Sequence, residues 1–218
     1  MSFIEQFESK LPQQKLDIFR SLNDPFLIQT YLDSMPYMAE ERDRSPLNVM
    51  LDNQSHCLDG GLFASLALFR LGFDPVMIDI VPSPGEDDDH VLALYKIDNR
   101  WGAVAKSNYV NLGFREPVYR TIRELVMTYF EHYFSIGQEK TLRGYTRPFN
   151  CSKYTKLDWA INEKDTNILF YKHFYGRKAV SVISTEMAAR LHSVPERAYR
   201  AATLYTDLSW SFGNRPNH

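Results

Sequence analysis

The sequence predicts an α+β domain in which a buried helix, begun by a cysteine, packs on an antiparallel sheet, with an α/β extension at the C-terminus. Three observations carry this reading. Leu58 to Leu71 is apolar almost all round, as a helix buried on most sides must be. His90 to Tyr95 and Trp101 to Ala105 flank Asp98-Asn99, a dipeptide that tolerates the positive φ angles of tight hairpin turns. The 218 residues are 44% hydrophobic and 24% charged, ordinary usage for one globular domain or at most two.

The elements follow in order. Leu11 to Leu22, with Leu16, Ile18, Phe19 and Leu22, reads as a short helix, and Phe26 to Met38 after Asp24-Pro25 as a second. Glu40 to Pro46 is charged and ends in proline, so it reads as a solvated connection. Gly72 is placed to stop the buried helix, and Pro75 to Val81 suits a buried strand. Pro82 to Asp89 is turn-forming and acidic, hence an exposed loop. If Asp98-Asn99 is the hairpin turn, Ile97 pairs Arg100, and counting outward sets Leu92 opposite Ala105 and His90 opposite Ser107. Pro117 to Phe134 lays Val118, Ile122, Leu125, Val126, Tyr129, Phe130 and Tyr133 on one stripe, a helix with Pro117 at its first position. Asn167 to Tyr175 and Lys178 to Ser184 read as a second hairpin around Gly176-Arg177. Thr185 to Leu208 returns to helical spacing, with a new helix opened by Pro195 and capped by Ser193. A soft boundary near residue 145 divides a core of residues 1–145 from an extension of residues 146–218, unless that extension completes the core's own sheet.

Composition removes several function classes. Twenty-five basic against twenty-seven acidic residues leave a net charge of −2, so no basic footprint draws the whole surface to nucleic acid. The longest apolar run, Leu62 to Leu71, is broken by Ser65 and Arg70 and falls short of the about 20 residues a bilayer requires, so no membrane span is expected. The N-terminus lacks a basic start and an apolar stretch, which predicts no secretory signal and a cytoplasmic protein. No phosphate-cradling loop or dinucleotide fingerprint is present, so no cofactor is expected. Asp87-Asp88-Asp89-His90 lacks the spacing of a calcium loop and has no second histidine at ligand spacing, so it reads as a solvated acidic loop and not as a metal site. Aromatic clusters at Tyr129 to Phe134 and Phe170 to Tyr175 read as core.

Two cysteines cannot build a disulfide framework, which turns attention to their surroundings. Cys57 ends the polar stretch Gln54-Ser55-His56 and opens the buried helix, where unpaired N–H groups and the helix dipole favour thiolate over thiol. Cys151 has no such setting and is expected to be idle. A thiol nucleophile needs a base, and His90, at the end of a loop and the start of a strand, is the leading candidate. His56 adjoins Cys57 in sequence and is a lesser one, because neighbouring side chains diverge at a helix start. His132 and His173 lie inside regular elements. Gln54, just upstream, is a candidate oxyanion donor beside the Cys57 N–H. The acidic loop before His90 would raise the pKa of His90.

Cys57-x-Asp59-Gly60, the apolar helix, Gly72-Phe73-x-Pro75, Asp89-His90-Val91 and Asn99-Arg100-Trp101-Gly102-Ala103 together resemble the transglutaminase-like branch of the papain-like cysteine enzymes. The stretch from Trp101 through Lys106-Ser107-Asn108 to Pro117-Val118-Tyr119-Arg120 and Tyr129-Phe130 looks like an uncharacterised bacterial subgroup of them. The resemblance implies a papain-like core and an acyl-enzyme on Cys57, formed from a peptide or small amide or ester and resolved by water or an amine. The aspartate that orients the histidine in that family falls by count at Ala105, which cannot do so; Ser107 or Asn108 would take its place. The same substitution leaves open a non-catalytic descendant that binds or scaffolds.

Overall fold

The computed structural model describes residues 1–214. Short helices lead the chain: α1 (Phe3–Glu8), α2 (Gln13–Ser21), α3 (Pro25–Asp33) and α4 (Pro46–Asp52), followed by the long α5 (Cys57–Arg70). Caps written into the sequence start them. Ser2, Asp24 and Ser45 each accept a backbone N–H of the first turn, and Pro25 and Pro46 sit where a missing N–H costs nothing. The second helix stops at Asp33, short of the expected Met38. Of the expected solvated connection Glu40 to Pro46, residues 40–45 are irregular and Pro46 already opens α4, and Arg44 within it is 1% exposed, held by Glu40, Asp52 and Asp59.

One antiparallel sheet is ordered β4-β3-β2-β1-β5-β7, with β6 also on β1. Its strands are β1 (Val76–Pro82), β2 (His90–Ile97), β3 (Arg100–Val104), β4 (Arg115–Tyr119), β5 (Leu142–Thr146), β6 (Phe149–Asn150) and β7 (Ala179–Ser181). Asp98 and Asn99 take φ of 46° and 61°, the tight turn their residue types allow, and Ile97 pairs Arg100 as counted. The ladder between β2 and β3 runs as far as Ala93 opposite Val104. Strands β5, β6 and β7 join the same sheet as β1 to β4, so the chain on both sides of residue 145 builds one sheet.

The sheet is apolar on both faces. Met77, Val91, Ala93, Tyr95 and Val104 face α5 and the helices α2 to α4 beside it. Ile78, Ile80, Leu92, Leu94, Ala103 and Ala105 face the opposite way, towards Leu112, Leu125, Val126 and Tyr129. Helix α5 lies close on its face: a Cβ on Gly61 would come within 2.6 Å of Val91 Cγ1, and one on Gly60 within 2.4 Å of Lys106 Cβ. The two glycines let the helix approach the strands as no side chain would.

Two sequence expectations fail here. Pro117 does not start a helix; Arg115 to Tyr119 is β4, the sheet's edge strand, where a residue without N–H leaves no ladder bond unmade. The helix α6 is confined to Ile122–Met127, capped by Thr121, whose hydroxyl accepts from Glu124 N. The second hairpin is also absent. Asn162 caps α7 (Glu163–Leu169), which runs on as a π-helical turn through Phe174, and Phe170 and Phe174, four residues apart, both enter the core. Only Ala179–Ser181 is strand, and it pairs β5. Two short helices follow, α8 (Thr185–Ala188) and α9 (Glu196–Ala202); Pro195 stands just before the latter, at the cap position expected of Ser193, and no side-chain cap bond is made there.

Candidate active site

Cys57 is the first residue of α5, half-buried, on the wall of a cleft of about 430 Å³ that it shares with Tyr37, Asp43, His56, Asp89 and Tyr175. Its Sγ donates weakly to the Asp89 carbonyl at 3.9 Å. The thiol is not a ready thiolate. Burial pushes its pKa above the ordinary thiol value and Asp89 and Asp88 add to this, while His56 pulls the other way.

His56 is the helix cap. Its Nδ1 accepts the Leu58 N–H at 3.2 Å, and its Nε2 lies 3.2 Å from Asp59 and 3.5 Å from Asp43. Burial disfavours a charged ring, but Asp59, Asp43 and Cys57 outweigh burial and hold His56 well above the usual histidine range. Asp59 is fully buried, its carboxyl pushed up to about 6 by that burial against the pull of His56 and of the Arg44 backbone N–H. Asp59, His56 and Cys57 thus form a carboxylate, imidazole and thiol in sequence at the head of one helix. Divergence of neighbours argued against His56 in the sequence; the cap conformation brings its ring back over the helix start. The signal lay in the spacing of His56 and Asp59, three residues apart and so on one helix face.

Asp43, His56 and Asp59 bring three donor atoms within 4.8 Å of one another. They do not suit a cation: with Nδ1 occupied by the Leu58 N–H, Nε2 holds the ring proton and turns it towards the carboxylates. Arg44 already brings a positive charge to Asp59, its Nη1 3.7 Å from Oδ2.

The structure places His90 elsewhere. It stands opposite Ile80 in the ladder and therefore on the face turned away from α5. Its Nε2 is 2.8 Å from the Leu112 carbonyl, and burial holds its pKa down at about 4, against the expected rise from the acidic loop. No hydrogen bond joins it to Cys57 among the described residues. Ser107 lines the pocket at His90 but its hydroxyl accepts the Tyr109 N–H. Asn108 is engaged with Asp207 through both ends of its amide. Gln54 is absent from the walls of the Cys57 cleft. Cys151 is fully buried, its thiol pushed up to about 12.

Ala105, where the family resemblance looks for an aspartate, is fully buried in the apolar layer away from α5. Its backbone N–H and carbonyl are both taken by the Gln29 amide, at 3.0 and 2.8 Å. Beside it Lys106 threads between α3 and α5 and donates to the carbonyls of Leu32 and Met35 at 2.7 and 2.6 Å. On the α5 face of β1, Asp79 is 8% exposed, and its carboxyl is pushed up to about 9 by burial and by Asp89.

No helix among the described residues is long and apolar enough to cross a membrane. No family model matches the chain, and no curated protein matches it. Among solved structures it is similar to Legionella pneumophila LapG, at 11% identity and a TM-score of 0.38, over 52% of this chain and 76% of that one. It is similar also to the EGTA-treated form of Legionella pneumophila LapG, at 10% identity and a TM-score of 0.42, over 69% of this chain and 83% of that one.

Proposed function

We propose that the protein is a thiol-dependent acyl-transfer enzyme in which Cys57 attacks an amide or ester carbonyl of a peptide or small substrate and His56, in place of His90, takes its proton at Nδ1, giving up the Leu58 N–H while Nε2 keeps its proton on the carboxylates. The observation that carries this is the Asp59, His56, Cys57 chain opening onto the cleft, a nucleophile beside a base that a third group orients. Sγ bonds to the carbonyl carbon, the C–N or C–O bond breaks, and the leaving group departs with the proton from His56. Water or an amine then releases the acyl group and restores the thiol. Asp59 and Asp43 stabilise the imidazolium formed between these steps. The Cys57 backbone N–H, at the start of α5, is the oxyanion donor in this reading. On this reading His90, Ser107 and Asn108 shape the wall behind the site and take no proton.

The test is p-nitrophenyl acetate with the full chain. A burst of p-nitrophenol that is lost in Cys57→Ala and slowed about 100-fold or more in His56→Ala supports the assignment. A burst that survives Cys57→Ala defeats it. The raised thiol pKa favours a second reading, a binding domain that keeps the fold without the chemistry. Complete absence of a burst, with Cys57 still open to alkylation, would decide for that reading.

A further inference from the structure

The pocket at His90 is partly covered by residues 210–212 of the protein's own chain. His90, Leu112 and Tyr133 form its inner side, and Trp210, Ser211 and Phe212 its outer side. The space left between them is about 40 Å³, enough for a few waters and too small for an organic ligand. Tyr37, Asp88 and Asp89 belong both to this pocket and to the Cys57 cleft, so the two spaces share a wall.

The segment is held by polar latches on two adjacent residues. Thr206 Oγ1 donates to the Asn108 carbonyl at 2.9 Å, Asn108 Nδ2 to the Asp207 carbonyl at 2.8 Å, and Asp207 N to Asn108 Oδ1 at 3.3 Å. The Tyr109 hydroxyl donates to Ser211 Oγ at 2.9 Å. Burial within the segment is uneven: Ser211 is 4% exposed, Leu208 and Trp210 are half-buried, and Phe212 is 37% exposed. At the head of the segment Tyr205 is 97% exposed with φ of 61°, a left-handed conformation that a tyrosine adopts only under constraint. The exposed bonds between Asn108 and Asp207 and the strained residue where the segment begins are marks of the low-stability end of a fold.

We propose that Thr206 to Phe212 is a releasable strap, hinged at Tyr205, that narrows the His90 pocket and widens it to small molecules when the latches at Asn108 and Tyr109 let go. The proposal does not depend on the chemistry assigned to Cys57, and its test reads His90 alone. Diethyl pyrocarbonate acylates neutral imidazole, and at pH 7 His90 is neutral. In the full chain, modification of His90 is followed by mass spectrometry beside hydrogen exchange across residues 206–212, with His132 and His173 as internal references. Asn108→Ala should speed both readouts, His90 by about fivefold, the shift in opening that one lost hydrogen bond gives. Where Asn108→Ala alters the fold by circular dichroism, Thr206→Val removes a single latch at the same place and should act in the same direction. Tyr205→Asn, which eases the left-handed backbone, should slow both. Faster exchange at residues 206–212 with His90 modified at the wild-type rate would overturn the proposal, as would acceleration by Tyr205→Asn.

Discussion

His90 and Ile80 stand directly across from each other on β2 and β1, and through this pairing the imidazole serves the layer of Leu92 and Leu112 and not the layer of α5. A buried neutral histidine that donates to a carbonyl is a pH-dependent structural bond. Its folded pKa, about 4, lies below the about 6.5 of an unfolded histidine, so between those values the unfolded chain binds the extra proton. The stability contributed is full above about pH 6.5 and is lost as pH falls towards 4. Wild type and His90→Gln, compared by urea unfolding, should therefore diverge with pH, wild type losing roughly 2–3 kcal/mol more between pH 7 and pH 4. Parallel profiles would show that His90 ionises freely in the folded state.

Cys57 should titrate late. Burial, with Asp89 and Asp88 beside it, holds the thiol protonated, so carbamidomethylation by iodoacetamide should still be rising with pH above roughly pH 9, where an ordinary thiol levels off. Asp89→Asn should move the profile to lower pH, and His56→Ala to higher pH. A wild-type plateau below pH 7 would contradict the direction of the shift.

Placing at Ala105 the carboxylate that the resemblance looks for should fail. The methyl group points into a layer of Leu92, Ala103 and Leu125, with the imidazole of His90 already bonded to Leu112. Ala105→Asp is expected to lose several kcal/mol of stability, about 3 as a central figure, for an unpaired buried carboxylate. A variant of wild-type Tm with a raised His90 pKa would show that the carboxylate had found the ring.

Gly61→Ala should destabilise by about 1–3 kcal/mol, because its new methyl meets Val91 Cγ1 at 2.6 Å. Val91→Ala in the same chain should recover part of that loss, the non-additivity expected of two side chains that touch. Strict additivity in a double-mutant cycle would place the helix farther from the strand.

Lys106→Ala should cost about 2–4 kcal/mol, since the Leu32 and Met35 carbonyls at the end of α3 would each lose a charged donor. Lys106→Arg should not restore it fully, the planar fork being too wide for a slot cut for one ammonium. Equal stability of all three chains by urea unfolding would show that water replaces the ammonium without cost.

The helix α5 was legible because no face of it is polar, and the hairpin because Asp98-Asn99 sits between two apolar runs. The register of that hairpin was legible from Ile97–Arg100 to Ala93–Val104, since a tight turn leaves little choice, but the counted pairs Leu92–Ala105 and His90–Ser107 lie beyond the end of the ladder, where Gln29 takes the Ala105 backbone. The face His90 serves was not. Val91, Ala93 and Tyr95 are as apolar as Leu92 and Leu94, so β2 shows no alternation, and only pairing with β1 decides which set meets α5. Pro117 misled for a related reason: the first turn of a helix and the edge of a sheet both tolerate a missing N–H, and the strand beside it was not visible in sequence. The run Phe170 to Phe174 combines β-favouring aromatics with a spacing of four, and burial of both phenylalanines against the core settled it as helix.

Gln29 gives the end of β3 a borrowed neighbour. A primary amide carries the same acceptor and donor as a peptide unit, and Gln29 presents both to Ala105 just after the ladder has stopped at Val104. The chain can therefore leave its partner strand without stranding buried polar groups, and it turns at once towards the loop whose Leu112 carbonyl meets His90. One side chain on a helix thereby sets where the sheet ends, and a glutamate there, unable to donate, would move that end.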